Sequence, residues 1–157
     1  KFSGKKLQYF DPETNESYTP YVVETSIGLD RMFLAILSNS YKEETLEDGS
    51  VREVLNIPPV LAPIKIAVLP LVKKDGLPEK ARQIFDLLKQ NFMCQYDEKD
   101  AIGRRYRRQD SIGTPYCITI DHDTLQNDTV TIRYRDTMMQ ERINCDNILS
   151  FINQKFS

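Results

Sequence analysis

The sequence predicts an α/β protein: a mixed sheet flanked by helices in three layers, preceded by a partial antiparallel sheet plus a helix. Two observations carry this. From Ile64 onward, short apolar runs alternate with helix-length amphipathic patterns, and before that point strand-like runs flank tight turns. Pro58, Pro59 and Pro63 stand between the two regions and leave little room for regular structure, so residues 58–63 read as a linker.

In the first region, residues 6–10 and 18–24 read as strands around the turn 11–16. A helix follows over about 29–41, with Leu29, Met32, Phe33 and Ile36 on one face. Asp48-Gly49 marks a hairpin turn, and 51–57 reads as its return strand. In the second region, 64–70 is a short apolar run suited to a buried strand. Pro78 sits at the start of a helix reaching about Phe92, with Ala81, Ile84, Phe85, Leu88 and Phe92 on one face. A short strand at 93–96 precedes a helix over 101–112, which Gly113 closes. Residues 116–120 and 129–134 are strands around a turn at 121–128, and Asp146 is expected to cap a last helix through about Phe156. The order β-α-β-α-β-β-α predicts an open α/β sandwich.

Composition narrows the function classes. The chain has 157 residues, 40% hydrophobic and 28% charged, enough for one core and part of another. Its net charge of −2 means that any nucleic-acid binding must come from a local basic patch. Three cysteines without a CxxC pair, and a single histidine, argue against a disulfide framework or a structural zinc site and fit a reducing, cytoplasmic setting. No apolar run approaches the roughly 20 residues of a membrane span, and no signal peptide is visible. The chain opens at Lys1 without a methionine, so it is expected to be a piece of a longer protein.

Val23 to Leu37 is the richest stretch. It places a carboxylate, a hydroxyl, a glycine and an arginine on the turn from an apolar strand into an amphipathic helix. Gly28 gives a ligand room at the backbone. Arg31, one turn into the helix, can grip phosphate or stack on a base. Glu24 and Ser26, two apart on an extended segment, project to the same side. The same pattern also fits a surface strand and a core-packing helix, with Asp30 and Arg31 merely solvated.

Residues 21–37 resemble motif 3 of class II aminoacyl-tRNA synthetases, in which three alternate glycines precede an arginine. Here those positions hold Glu24, Ser26 and Gly28, followed by Arg31. Replacing the first two glycines is the habit of the dimeric glycyl-tRNA synthetases, whose pattern is Glu-Pro-Ser-x-Gly-Leu-x-Arg; this chain departs from it once, at Thr25. The resemblance implies a glycine-binding segment of Glu24, Thr25, Ser26, Ile27 and Gly28. It implies ATP binding by Gly28, Leu29, Asp30 and Arg31, with magnesium accompanying the ATP and no proton-transfer catalyst. Glu24 would pair with the ammonium of glycine, and the added side chains would exclude larger amino acids by bulk.

Three further blocks, 61–76, 102–116 and 129–142, are similar to the anticodon-binding domain of the same enzymes. Residues 1–57 then correspond to the end of a class II catalytic domain and 64–157 to the anticodon-binding domain. The implied partners are tRNA(Gly) and glycine, in a homodimeric parent, with no membrane and no DNA. The fragment is expected to be inactive alone. Two other classes fit parts of the pattern: a non-catalytic accessory subunit of mitochondrial DNA polymerase, and a free-standing anticodon-type RNA-binding module.

Arg104, Arg105, Arg107 and Arg108 stand on their own as a tRNA-binding candidate, with Tyr106 among them. The alternative is a solvated face paired with nearby aspartates and glutamates. Arg133, Arg135, Asp136 and Gln140, near a strand end, are weaker candidates and fit cross-strand salt pairs equally. Asp121-His122-Asp123 could suggest a metal, but on a turn it reads as a solvated loop. No metal ligand set is assigned.

Overall fold

The computed structural model describes residues 4–156; Lys1 lies outside them. The chain divides into two units, Lys1–Met32 and Phe33–Ser157.

The first unit holds a hairpin of β1 (Tyr9–Asp11) and β2 (Glu16–Tyr18), in register Tyr9↔Tyr18. The two tyrosine rings meet edge-on at 5.9 Å. The strand expected over 18–24 does not form: residues 19–28 carry no regular structure. Pro20 has no N–H to donate, and no described strand runs alongside to complete a ladder. Tyr21, Val22, Val23 and Ile27 are exposed. Helix α1 (Leu29–Ser40) then begins where the pattern placed it. Its expected apolar face is open, with Leu29, Met32 and Phe33 all exposed.

In the second unit, β3 (Tyr41–Thr45) and β4 (Val51–Leu55) form the hairpin expected around Asp48-Gly49. Residues Pro59–Leu61, within the proline segment, make one turn of 3₁₀ helix rather than plain linker. The larger sheet follows: β5 (Ile66–Pro70), β6 (Cys94–Tyr96), β7 (Tyr116–Ile120), β8 (Thr129–Tyr134) and β9 (Gln140–Asn144). Their order is β6-β5-β7-β8-β9, with β5 parallel to both β6 and β7 and the rest antiparallel. The mixed sheet is as expected, with one strand more.

Alternation along the central strands sorts the core into two layers. Ile66, Val68, Ile118, Ile120, Val130 and Ile132 face a large apolar layer. It is completed by Leu77, Ala81, Ile84 and Leu88 of α2 (Leu77–Leu88) and by Ile148 and Ile152 of α5 (Ile148–Phe156). The other face is narrower. Ala67, Leu69 and Cys117 meet Ile102 and Tyr106 of α3 (Ile102–Ile112). The result is three layers, with α2 and α5 on one side of the sheet and α3 on the other.

Two expectations are corrected here. Residues His122–Asn127 form a short helix, α4, rather than a turn. Asp121 and Thr124 cap it reciprocally: the Thr124 N–H donates to Asp121 Oδ1 at 3.1 Å, and the Asp121 N–H donates to Thr124 Oγ1 at 3.1 Å. The last helix is not capped by Asp146. The Asn144 side chain accepts from the Asp146 N–H at 2.9 Å, starting a 3₁₀ turn that leads into α5.

Candidate RNA-binding face and nucleotide turn

Helix α3 sits on a polar floor. Its inward residues Ile102, Arg105, Tyr106, Gln109 and Asp110 follow the i, i+3, i+4, i+7, i+8 rhythm of a buried face. Three of these are charged or carry an amide, so hydrogen bonds must replace apolar contact. Asp110, fully buried, accepts from Arg133 Nη1 at 2.8 Å, Arg133 Nη2 at 3.0 Å and Arg52 Nε at 2.9 Å. The Arg133 guanidinium also lies 4.7 Å from the centre of the Tyr106 ring. Arg52 comes from β4, so the hairpin is bolted to α3 by a buried ionic triad. Arg135 is buried beside it. Its Nη1 donates to Gly113 O at 2.8 Å and to Leu55 O at 3.1 Å, and its Nη2 to Asn56 Oδ1 at 3.0 Å.

The four expected RNA-facing arginines therefore separate. Arg105 is 2% exposed and turned inward. Its Nη1 donates to Pro70 O at 2.5 Å and its Nη2 to Leu71 O at 3.0 Å, which ties α3 to the end of β5. Burial pulls its pKa down, yet an arginine stays charged at any ordinary pH. Arg108 is on the surface but engaged: its Nη2 reaches Asp97 at 2.8 Å and its Nη1 reaches Asp100 at 2.8 Å. Burial tends to raise the Asp97 carboxyl, but the Lys99 N–H and Arg108 outweigh it and hold the group below the usual range. Arg104 and Arg107 remain on the outer face, without an ion pair among the described residues. With Arg108, Gln95 and Ile112 they line a groove of about 480 Å³. That is room for a nucleobase.

Arg133 and Arg135 are likewise internal: Arg133 pairs with Asp110, and Arg135 with carbonyl oxygens and its neighbour Asp136, so neither makes a cross-strand salt pair. Asp136 accepts from Arg135 Nε at 2.7 Å, and Gln140 lies opposite Arg133 in the β8–β9 register. Tyr106 is part of the core, its hydroxyl 2.6 Å from Thr119 Oγ1. His122 is on the surface, 4.0 Å from Asp75. Among the described residues no group of three or more His, Cys, Asp or Glu side chains is placed to hold a metal ion. The cysteine thiols are not activated. Burial pushes Cys94 up to about 11 and Cys117 to about 12.

In the first unit, Glu24, Thr25, Ser26 and Ile27 lie on the exposed irregular segment that leads into α1, with Leu29 and Asp30 exposed in its first turn. Gly28 O accepts the Met32 N–H at 3.0 Å, opening the helix. Gly28 does not need its glycine for a left-handed backbone, since its φ is not positive. What it offers is bare backbone: the nearest atoms that a Cβ there would meet belong to Arg31, whose Cδ lies 3.7 Å away. Gly28 and Arg31 are thus side by side, and Glu24 and Ser26 precede them with their side chains open.

The pattern of the family described as "Anticodon binding domain" matches residues 65–155. The chain belongs to that family. The match covers the larger sheet and its helices and starts just after the proline segment. Three relatives, all glycine–tRNA ligases, are similar along nearly the whole chain. The Chlorobaculum tepidum protein is 56% identical over 155 residues, which is 99% of this chain and 33% of that protein. The Clostridium kluyveri protein is 54% identical over 153 residues, 98% of this chain and 33% of that protein. The Borrelia hermsii protein is 51% identical over 154 residues, 97% of this chain and 35% of that protein. The chain therefore spans about a third of the length of the relatives it matches. No helix is long and apolar enough to cross a membrane among the described residues of this anticodon-binding-family chain.

Proposed function

We propose that this chain is part of a glycine–tRNA ligase, a cytoplasmic and homodimeric enzyme that activates glycine with ATP and attaches it to tRNA(Gly). The observation that carries the reading is the 56% identity to such an enzyme over 99% of the chain, which spans both the nucleotide turn and the anticodon-binding fold. Residues 1–57 are the end of the catalytic domain, 58–63 the connection, and 64–157 the part that holds the tRNA anticodon.

In this reading Glu24 pairs with the ammonium of glycine, while Ser26, with Thr25 and Ile27 alongside, closes the side-chain end of the pocket. Gly28 lets the nucleotide approach the backbone, and Arg31, flanked by Leu29 and Asp30, binds ATP. The reaction then needs aligned substrates and charge stabilisation on the phosphates rather than proton transfer. Magnesium would travel with the ATP, held chiefly by its phosphates. The exposed Tyr21, Val22, Val23, Leu29 and Phe33 support a site that needs further polypeptide to cover it. Arg104 and Arg107, which make no ion pair among the described residues, face tRNA; Arg108 is a partly neutralised third, and Arg105 positions α3 beneath them.

Two measurements test this. The chain alone gives no glycine-dependent ATP–pyrophosphate exchange; robust exchange would contradict the fragment reading. Arg104→Ala with Arg107→Ala weakens tRNA(Gly) binding and lowers the salt slope by about 1 per arginine. An unchanged affinity and slope would remove α3 from the interface.

A further inference from the structure

The groove beside α3 contains a polar chain with one free end. Thr114, fully buried, donates from Oγ1 to Gln109 Oε1 at 2.7 Å. Gln109, also buried, donates from Nε2 to Gln95 Oε1 at 3.3 Å. Gln95 is half-buried on β6, the edge strand, in register with Ala67 and so on the α3 side of the sheet. Its Nε2 has no partner among the described residues, and Gln95 lines the groove with Arg104, Arg107 and Ile112.

Burying a hydroxyl and an amide is costly unless each is satisfied. Here both are satisfied by handing the bond outward, and the chain stops at the groove. Such a relay fixes the Gln95 amide, with its oxygen inward and its N–H groups toward the groove. A donor held in this way loses little rotamer freedom when it meets its partner. Contacts that the arginines around it make to phosphate carry no sequence information. Ile112 offers an apolar wall for the base.

We propose that Gln95 is a specificity-determining residue for RNA: its Nε2 donates to the carbonyl oxygen of one unpaired anticodon-loop base, while Arg104 and Arg107 hold the flanking phosphates. The inference rests on the proposed tRNA(Gly) reading and adds to it the residue that reads a base. Gln109 and Thr114 are positioning residues.

The test uses the whole chain and a panel of tRNA(Gly) anticodon stem-loops, each with one loop nucleotide replaced. Two variants are compared with the parent. Gln95→Glu still accepts from Gln109 but presents an oxygen where the donor was. Gln95→Met keeps length and removes the amide. Affinity ratios between the natural and replaced loops cancel any uniform loss caused by the new charge. The parent is expected to prefer the natural base by roughly 2- to 10-fold at the read position, the worth of one hydrogen bond. Both variants flatten that position alone and leave the others unchanged; Gln95→Met also leaves the salt slope unchanged, whereas the charge of Gln95→Glu acts uniformly on every loop. If Gln95 merely ties β6 to α3, melting shifts and affinity falls alike at every position; that result, or an unaltered profile, overturns the proposal while the tRNA reading stands. A parent that binds none of the stem-loops overturns both.

Discussion

Replacing Asp110 with asparagine tests how the hairpin is held to α3. The carboxylate has no exposure and accepts three charge-assisted hydrogen bonds at 2.8–3.0 Å from two arginines. Asparagine keeps the volume but removes the charge, and its NH₂ must face a guanidinium donor. Arg52 and Arg133 are then left buried and undercompensated. Three charge-assisted bonds at about 1.5–3 kcal/mol each set an upper limit, but they share one acceptor group and do not add. Breaking a buried pair by removing one partner costs about 3–5 kcal/mol, and that is the expected loss. A domain has roughly 5–15 kcal/mol in all, so the variant keeps a fraction of its stability and melts about 10–20 °C lower. Urea and thermal unfolding followed by circular dichroism measure this. A second variant sharpens the reasoning: Asp110→Leu with Arg52→Met and Arg133→Met removes every charge of the triad together and should lose much less than Asp110→Asn. If Asp110→Asn costs under about 1 kcal/mol, or if the triple variant is the worse of the two, the buried-charge argument is wrong.

Three other outcomes follow from the same geometry. Gly113 has φ +84°, and a Cβ there would lie 2.9 Å from both Leu55 O and Ile57 Cγ2, so Gly113→Ala should destabilise by about 2–4 kcal/mol in chemical denaturation. Asp100 and Asp97 each sit 2.8 Å from Arg108; Asp100→Asn with Asp97→Asn removes both carboxylates and should raise tRNA(Gly) affinity several-fold at low salt, with the gain fading as salt rises. Burial tends to raise the Asp121 carboxyl, but Arg142 and the Thr124 N–H outweigh it and hold its pKa below the usual range. The stability it contributes is complete above the unfolded value of about 3.9 and is lost as pH falls through the lower folded value. Hydrogen exchange in α4 and β9 should accelerate below about pH 4, and Asp121→Asn should abolish that dependence; exchange equally acid-sensitive in the variant would show that another group is responsible.

Much of this was legible in the sequence where apolar periodicity is strong. The strand 116–120 and the inward face of α2 were readable because Ile118 and Ile120, and Leu77, Ala81, Ile84 and Leu88, mark them directly. Helix α3 was readable as a helix but not in its facing. Its run of arginines looks like a solvated surface, yet 102, 105, 106, 109 and 110 already had the spacing of a buried face, and only the partners Arg52 and Arg133 explain how polar residues satisfy it. Those partners lie 58 and 23 residues from Asp110, beyond any local pattern. The strand β9 was missed because Gln140-Glu141-Arg142 has no apolar alternation, as suits an edge strand that must not recruit a neighbour. Helix α4 was missed because its signal is one capping pair around six residues. In the turn into α1, the juxtaposition of Gly28 and Arg31 was readable from spacing. The lack of a strand before it was not, since strand formation depends on a neighbouring chain segment.

The buried link between Arg52 and Asp110 also bears on how such a domain can be transplanted. The family boundary near residue 65 and the proline segment both invite a cut at about 58. A graft made there would leave Asp110 with one arginine instead of two and would uncover the Gly113 turn that Leu55 and Ile57 close over. The portable module begins earlier, ahead of Tyr41, and carries with it a hairpin whose sequence reads as the property of its neighbour.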